Sequence, residues 1–273
     1  MIDPNLTESV VAIAREAGER IMEIYERDFS VWKKNDGSPL TSADRAAHSL
    51  IDAALSDLLA EVPVLSEESA AVPWDRRSRW QRFWLVDPLD GTKEFVNRNG
   101  EFTVNIALID NGRPVLGVVH SPALPTTHWA SRGGGAWRRQ GDSDPTPIHT
   151  RACPPDAPVV VASRSHAGAD TGRLCEYLSG RYPGLTTASM GSALKICLVA
   201  EGRADLYPRF GPTSEWDTGA AHCVIEEAGG VLVDLSGAAL HYNKASLLNS
   251  RFLAIGDTDV DWVGMVSEAG IRD

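Results

Sequence analysis

From the N-terminus, Leu6, Val10, Ile13, Ala17, Ile21 and Ile24 recur at three- and four-residue steps with charged residues between them. That is the period of an amphipathic helix. A polar loop from Lys33 to Pro39 follows. A second helix is predicted from Thr41-Ser42, with Ala47, Leu50, Ile51, Ala54, Leu55 and Leu58 on one face. From Val64 the period changes to short apolar runs: Val64-Leu65, Phe83 to Val86, Phe102 to Ile109 and Val115 to Val119. Each is bounded by Gly, Pro or a polar turn and reads as a strand, and Asn111-Gly112 marks a hairpin. Pro88 is expected to stop the strand that begins at Phe83, with Asp90-Gly91 making the turn. After a polar, Pro-rich stretch from Gly141 to Pro158, strands and helices alternate. The pattern gives a strand at Pro158 to Ala162, a helix at Ala193 to Glu201, a strand at Ala204 to Tyr207 and a helix at Trp216 to Ala228. Gly229-Gly230 ends that helix before a strand at Val231 to Val233. The fold class is mixed α+β in two layered halves, with the subdomain boundary expected near 145: residues 1–145 and 146–273.

With 273 residues and 43% hydrophobic content the chain can bury a large core, so disorder and a coiled coil are excluded. The 37 acids against 26 Lys and Arg leave a net charge of −11, which argues against a nucleic-acid polymer as partner. An anionic substrate would need positive charge supplied from outside the chain. The segment Met1 to Val10 has no signal-peptide pattern and no apolar run approaches a bilayer span. A cytoplasmic enzyme is expected, free or peripheral on the inner membrane, with no integral membrane segment. Cys153, Cys175, Cys197 and Cys223 lack metal or disulfide spacing and are expected to be free thiols. Gly133-Gly134-Gly135 lacks the Lys-Ser/Thr of a phosphate loop and is a tight strand turn. His48, His120, His128 and His222 have no ligand spacing, and nothing specifies an oligomeric state.

The chemistry concentrates in three segments: Ser66-Glu67-Glu68-Ser69, Asp87-Pro88-Leu89-Asp90-Gly91-Thr92 and Trp216-Asp217-Thr218-Gly219. Each puts acids at a strand end or helix start, where side chains meet a cleft. Asp87 directly follows an apolar run, and an acid there must be solvated, paired or metal-bound. Thr92 can open a helix whose free N–H groups suit an anion, while the acids suit a hard cation. Together they suggest a cation bridging carboxylates and a phosphate. Taken singly, Asp90-Gly91 is an ordinary turn, Thr92 and Asp44 are ordinary caps, and Glu68 is a solvated acid. Trp84 and Trp216 are expected to wall the cleft.

Asp87 to Thr92 with the later Trp216-Asp217 resembles the two-part signature of the inositol monophosphatase-type, magnesium-dependent, lithium-sensitive phosphatases. Further segments are similar to the 3′(2′),5′-bisphosphate nucleotidase branch of that superfamily: 36–44, 93–95, 99–105, 163–166, 191–195 and 206–213. The resemblance runs from about residue 5 to about 255 and implies the layered αβαβα sugar-phosphatase fold of two packed subdomains. It implies two or three Mg2+ ions held by Glu67, Asp87, the carbonyl of Leu89, Asp90 and Asp217, with Asp87 bridging. It gives Asp44, Glu67 and Thr92 the catalytic roles, Thr92 paired with Asp44 positioning the attacking water. Leu89, Asp90, Gly91, Thr92 and Asp217 would contact the scissile phosphate. Ser163, Arg164, His166, Gly191, Ser192 and Lys195 would line the nucleotide site. Without the resemblance, Arg164 and Lys195 read as surface charges and His166 as a loop residue. One departure is Gly219-Ala220-Ala221, where relatives often place the Gly later; it removes no ligand.

The implied substrate is a small phosphorylated nucleotide: adenosine 3′,5′-bisphosphate, cleaved to AMP and phosphate, and its sulfated analogue 3′-phosphoadenylyl sulfate, in sulfate assimilation. The rival readings are a phosphatase for inositol monophosphate or fructose 1,6-bisphosphate and, from another class, a non-catalytic metal-dependent nucleotide sensor. A sensor would have no use for the Thr92–Asp44 pair.

Overall fold

The computed structural model describes residues 2–27, 30–33, 39–69, 71–163 and 168–272. Helix α1 (Pro4–Tyr25) is capped by Asp3, and its buried stripe includes Val10, Ala17 and Ile21. A two-stranded ribbon, β1 (Val31–Lys33) with β2 (Pro39–Thr41), leads into α2 (Ser42–Leu58). Then come β3 (Val64–Ser66), the short α3 (Trp74–Arg77), β4 (Arg82–Asp90), the short α4 (Thr92–Val96), β5 (Thr103–Asp110) and β6 (Arg113–Ser121). The hairpins continue through β7 (Thr126–Ser131), β8 (Ala136–Gln140) and β9 (Thr146–Ile148). These seven strands, β3 to β9, form one sheet in sequence order, antiparallel except for the β3–β4 pair. The glycine triplet is the turn between β7 and β8, where Gly133 and Gly135 take positive φ.

The second sheet has the order β11-β10-β12-β14-β13. It is built from β10 (Val159–Ser163), β11 (Thr186–Met190), β12 (Leu206–Arg209), β13 (Val231–Asp234) and β14 (Phe252–Ile255). Between its strands run α5 (Ala169–Arg181), α6 (Leu194–Ala200) and α7 (Glu215–Glu227), and α8 (Trp262–Glu268) ends the chain.

Three apolar clusters set the layers. Trp84, Val86, Ile106 and Val118 pack against α1 and α2 on one face of the seven-stranded sheet. Phe83, Leu85, Ala107 and Val119, from the opposite face, pack against α6 and α7, which also meet Leu232 and Phe252 of the second sheet. Leu206, Leu253 and Ile255 close the far side with α5 and α8. The result is the αβαβα stack. Because β4 is buried on both faces it reads as a continuous apolar run rather than an alternation.

Trp84 is fully buried in the α1–α2 layer and does not wall a cleft, because alternation along β4 turns it away from the side that Leu85 faces. Pro88 does not stop its strand either. Strand β4 continues to Asp90, and its pairing with β5 shifts between Asp87↔Asn105 and Asp90↔Thr103. Three steps on β4 match two on β5, so Pro88 lies in a β-bulge, where a missing N–H costs no ladder bond.

Helix α7 lies close under the seven-stranded sheet because two glycines face each other's elements. A Cβ on Gly219 would come 2.9 Å from Leu85 Cδ2, and one on Gly117 of β6 would run into the Ala220 carbonyl and come 2.9 Å from Cys223 Cβ. All four cysteines are free. Among the described residues, no helix is long and apolar enough to cross a membrane.

Candidate active site

The bulge decides where the acids point. In a regular strand Asp87 and Asp90, three residues apart, would face opposite sides of the sheet. One extra residue between them restores a common side. Asp217, on the first turn of α7, meets them there, and one carboxylate oxygen from each of the three lies within 4.8 Å of the others.

Each acid is held by one oxygen. Asp87 Oδ1 accepts the Leu89 N–H at 3.1 Å. Asp90 Oδ2 accepts the Ala193 N–H at 2.7 Å and the Asn105 amide at 3.3 Å. Asp217 Oδ2 accepts the Ser214 N–H at 2.9 Å, closing a capping box at the start of α7. Glu67 follows β3, donates its N–H to the Val86 carbonyl at 3.0 Å and hydrogen-bonds the Asp87 carboxyl.

Burial and mutual repulsion make this cluster costly without a cation. Burial first, then Glu67, Asp90 and Asp217, raise the Asp87 carboxyl well above its ordinary value. Burial pushes Asp90 up to about 6 against the pull of Lys195, and burial with the Asp90 charge pushes Asp217 up to about 8. The donors are oxygens, with no thiol or imidazole among them, and they fit a hard divalent ion.

Beside the cluster, the Thr92 hydroxyl donates to Asp44 Oδ1 at 3.2 Å, with the Leu89 carbonyl at 3.4 Å as a second acceptor. Asp44 is buried, and its Oδ2 accepts from the N–H and hydroxyl of Thr41, at 2.7 and 2.6 Å. The capping box of α2 thus fixes the acid that orients Thr92. Gly91 precedes α4 with φ of 91°, a left-handed turn that suits glycine.

A cavity of about 140 Å³ opens from Asp90, Gly91 and Asp217 toward Lys195, Tyr207 and Arg209. Lys195 is buried, its Nζ 5.5 Å from the centre of the Tyr207 ring, and burial lowers its ammonium to about 8, with Asp90 opposing and Arg209 assisting. Gly191 packs against Glu101 and Glu94, and the Ser192 hydroxyl donates to the Glu101 carbonyl at 3.0 Å. Ser163 ends β10, while Arg164 and His166, like the segment 36–38, lie outside the described residues. Glu68 donates its N–H to Ser66 Oγ at 3.4 Å, and Trp216 fronts a separate cavity with Glu67 and Trp74.

Sequence reasoning did not single out Arg209 or Glu94. The signal for Arg209 was available: it lies two residues beyond Tyr207 on β12, so strand alternation puts both on the face toward the cavity. Its Nη2 donates to the Pro212 carbonyl at 3.0 Å, and its buried Nε has no hydrogen-bond partner.

Residues 4–258 match the inositol monophosphatase family. The 3′(2′),5′-bisphosphate nucleotidase CysQ of Escherichia coli K12 is 50% identical over 250 residues, which cover 90% of this chain and 98% of that protein. CysQ of Salmonella typhimurium is 49% identical over the same coverage. The crystal structure of CysQ from Bacteroides thetaiotaomicron superposes with a TM-score of 0.83 at 41% identity, covering 92% of this chain and 96% of that one.

Proposed function

Because the chain belongs to the inositol monophosphatase family, we infer that it is a Mg2+-dependent 3′(2′),5′-bisphosphate nucleotidase, hydrolysing adenosine 3′,5′-bisphosphate to AMP and phosphate and serving sulfate assimilation. The observation that carries this reading is one cavity lined by two unlike sets of charges: Asp90 and Asp217 of the three-aspartate cluster on one side, Lys195 and Arg209 on the other. A substrate with two phosphates matches both ends, whereas a monophosphate leaves the cationic end unmatched. The identity to nucleotidases named CysQ supports the same choice.

Glu67, Asp87, the Leu89 carbonyl, Asp90 and Asp217 would hold two Mg2+ ions, their oxygen donors matching what that ion takes. Bound there, the ions would offset phosphate charge, activate the attacking water and stabilise the leaving oxygen. The protein's own contribution begins at Thr92. Its proton is committed to Asp44, so its oxygen is left to accept a hydrogen bond from water and turn a lone pair of that water toward phosphorus. The N–H groups of Gly91 and Thr92 would hold the phosphoryl oxygens. Lys195, helped by Ser192, Gly191 and the 163–166 segment, would take the nucleotide end, with Arg209 joining it.

Phosphate release from adenosine 3′,5′-bisphosphate, 3′-phosphoadenylyl sulfate, inositol 1-phosphate and fructose 1,6-bisphosphate, with and without Mg2+, tests the reading. The nucleotides should turn over only with metal and with the highest kcat/KM. A preference for the inositol or fructose ester would replace the substrate, and metal-dependent binding without phosphate release would make the protein a sensor.

A further inference from the structure

One acid in the cavity has no place in the metal cluster. Glu94 stands on the first turn of α4, half-buried, between the Gly91 turn and the cationic end. Two glycines bracket it: a Cβ on Gly91 would come 3.4 Å from Glu94 Oε2, and one on Gly191 would come 3.0 Å from Glu94 Cγ. Both backbones therefore leave room for this side chain beside the turn that faces the phosphate. The Lys195 ammonium is close enough for the two charges to attract.

A carboxylate in this position repels phosphoryl oxygens, so it is suited to neither phosphate. A carboxylate is a hydrogen-bond acceptor, and its natural partner here is a neutral donor lying between the two phosphates. On the substrate inferred above, the donor nearest the scissile ester is the hydroxyl on the adjacent ribose carbon. We propose that Glu94 is a specificity-determining residue that accepts a hydrogen bond from the ribose hydroxyl vicinal to the phosphate being removed. This rests on the nucleotidase reading. It makes the enzyme selective for ribonucleotides over deoxyribonucleotides, because a deoxy substrate lacks the donor whose hydrogen bond Glu94 accepts.

The test compares adenosine 3′,5′-bisphosphate with 2′-deoxyadenosine 3′,5′-bisphosphate on the Mg2+-loaded full chain. Wild type should lose about 10- to 100-fold in kcat/KM on the deoxy substrate, the range for a hydrogen bond to a charged group. Glu94→Ala should lower the ribose substrate to the deoxy level and abolish the preference, while Glu94→Gln, which keeps an acceptor oxygen, should retain part of it. Equal turnover of both nucleotides by wild type would overturn the proposal even if no variant folds. So would a ribose preference that survives in Glu94→Ala. Failure of wild type to cleave either nucleotide would instead remove the nucleotidase reading, and this inference with it.

Discussion

Asp87 is buried among like charges, and a neutral amide in its place relieves repulsion that the carboxylate suffers. Asp87→Asn keeps an acceptor for the Leu89 N–H, so the metal-free variant should melt at a higher temperature than wild type. Its turnover should fall by well over about 100-fold, beyond the usual loss when a residue merely supporting a metal ligand is removed. Thermal melts and phosphate release on one preparation check both. Thr92→Ala removes the oxygen left for water and should lower kcat by about 100-fold or more with KM little changed, as for loss of a group that handles the reacting proton. At this scale the sequence was most legible for Asp87, Asp90 and Asp217. Acids at the ends of apolar runs announce a need for partners, and the three do converge. Glu94 and Arg209 were harder to read, since a half-exposed charge on a short helix or strand looks like solvated surface until the cavity beside it is known.

Among the elements, α7 carries Asp217 and touches both sheets through one apolar cluster. Its distance from β6 depends on Gly117, where an added Cβ would meet backbone at Ala220 and side chain at Cys223. Gly117→Ala should lower stability by about 1–3 kcal/mol, the usual range for overpacking. It should also raise the Mg2+ concentration needed for half-maximal activity, because Asp217 moves with its helix. A lowered melting temperature with unchanged metal dependence would show that α7 does not transmit the displacement. Periodicity located α1, α2, α6 and α7 to within a few residues, since each has an apolar face or is apolar nearly all round. It passed over β1, β2, α3, β7, β8, β9, α5, β11, β14 and α8. Strand β8 is mostly Trp and Arg, and β9 lies inside a Pro-rich stretch at the sheet edge, so neither carries an apolar alternation.

For the molecule as a whole, the charge of −11 has a local focus between its layers. Asp90 and Asp217 bind protons more tightly in the folded chain than their ordinary value of 3.8, up to about 6 and about 8. Across that window the folded state holds more protons than the unfolded one, so metal-free stability should fall as pH rises from about 4 to about 8. Saturating Mg2+ should flatten the slope and raise the melting temperature more at the alkaline end, where protons no longer compete for the ligands. Melting curves across that range with Mg2+ or with a chelator measure the difference; a chelated protein that grows more stable toward pH 8 would contradict it. The bulge at Pro88 has a last consequence at the level of the gene. Replacing a residue there changes a side chain, but removing a single codon would straighten β4: Asp87 and Asp90 would stay on one side, while the bulge whose Leu89 N–H holds Asp87 and whose Leu89 carbonyl lies beside Thr92 would be lost. Lineages descending from this chain should therefore record many substitutions around the site and almost no change of length between Asp87 and Asp90.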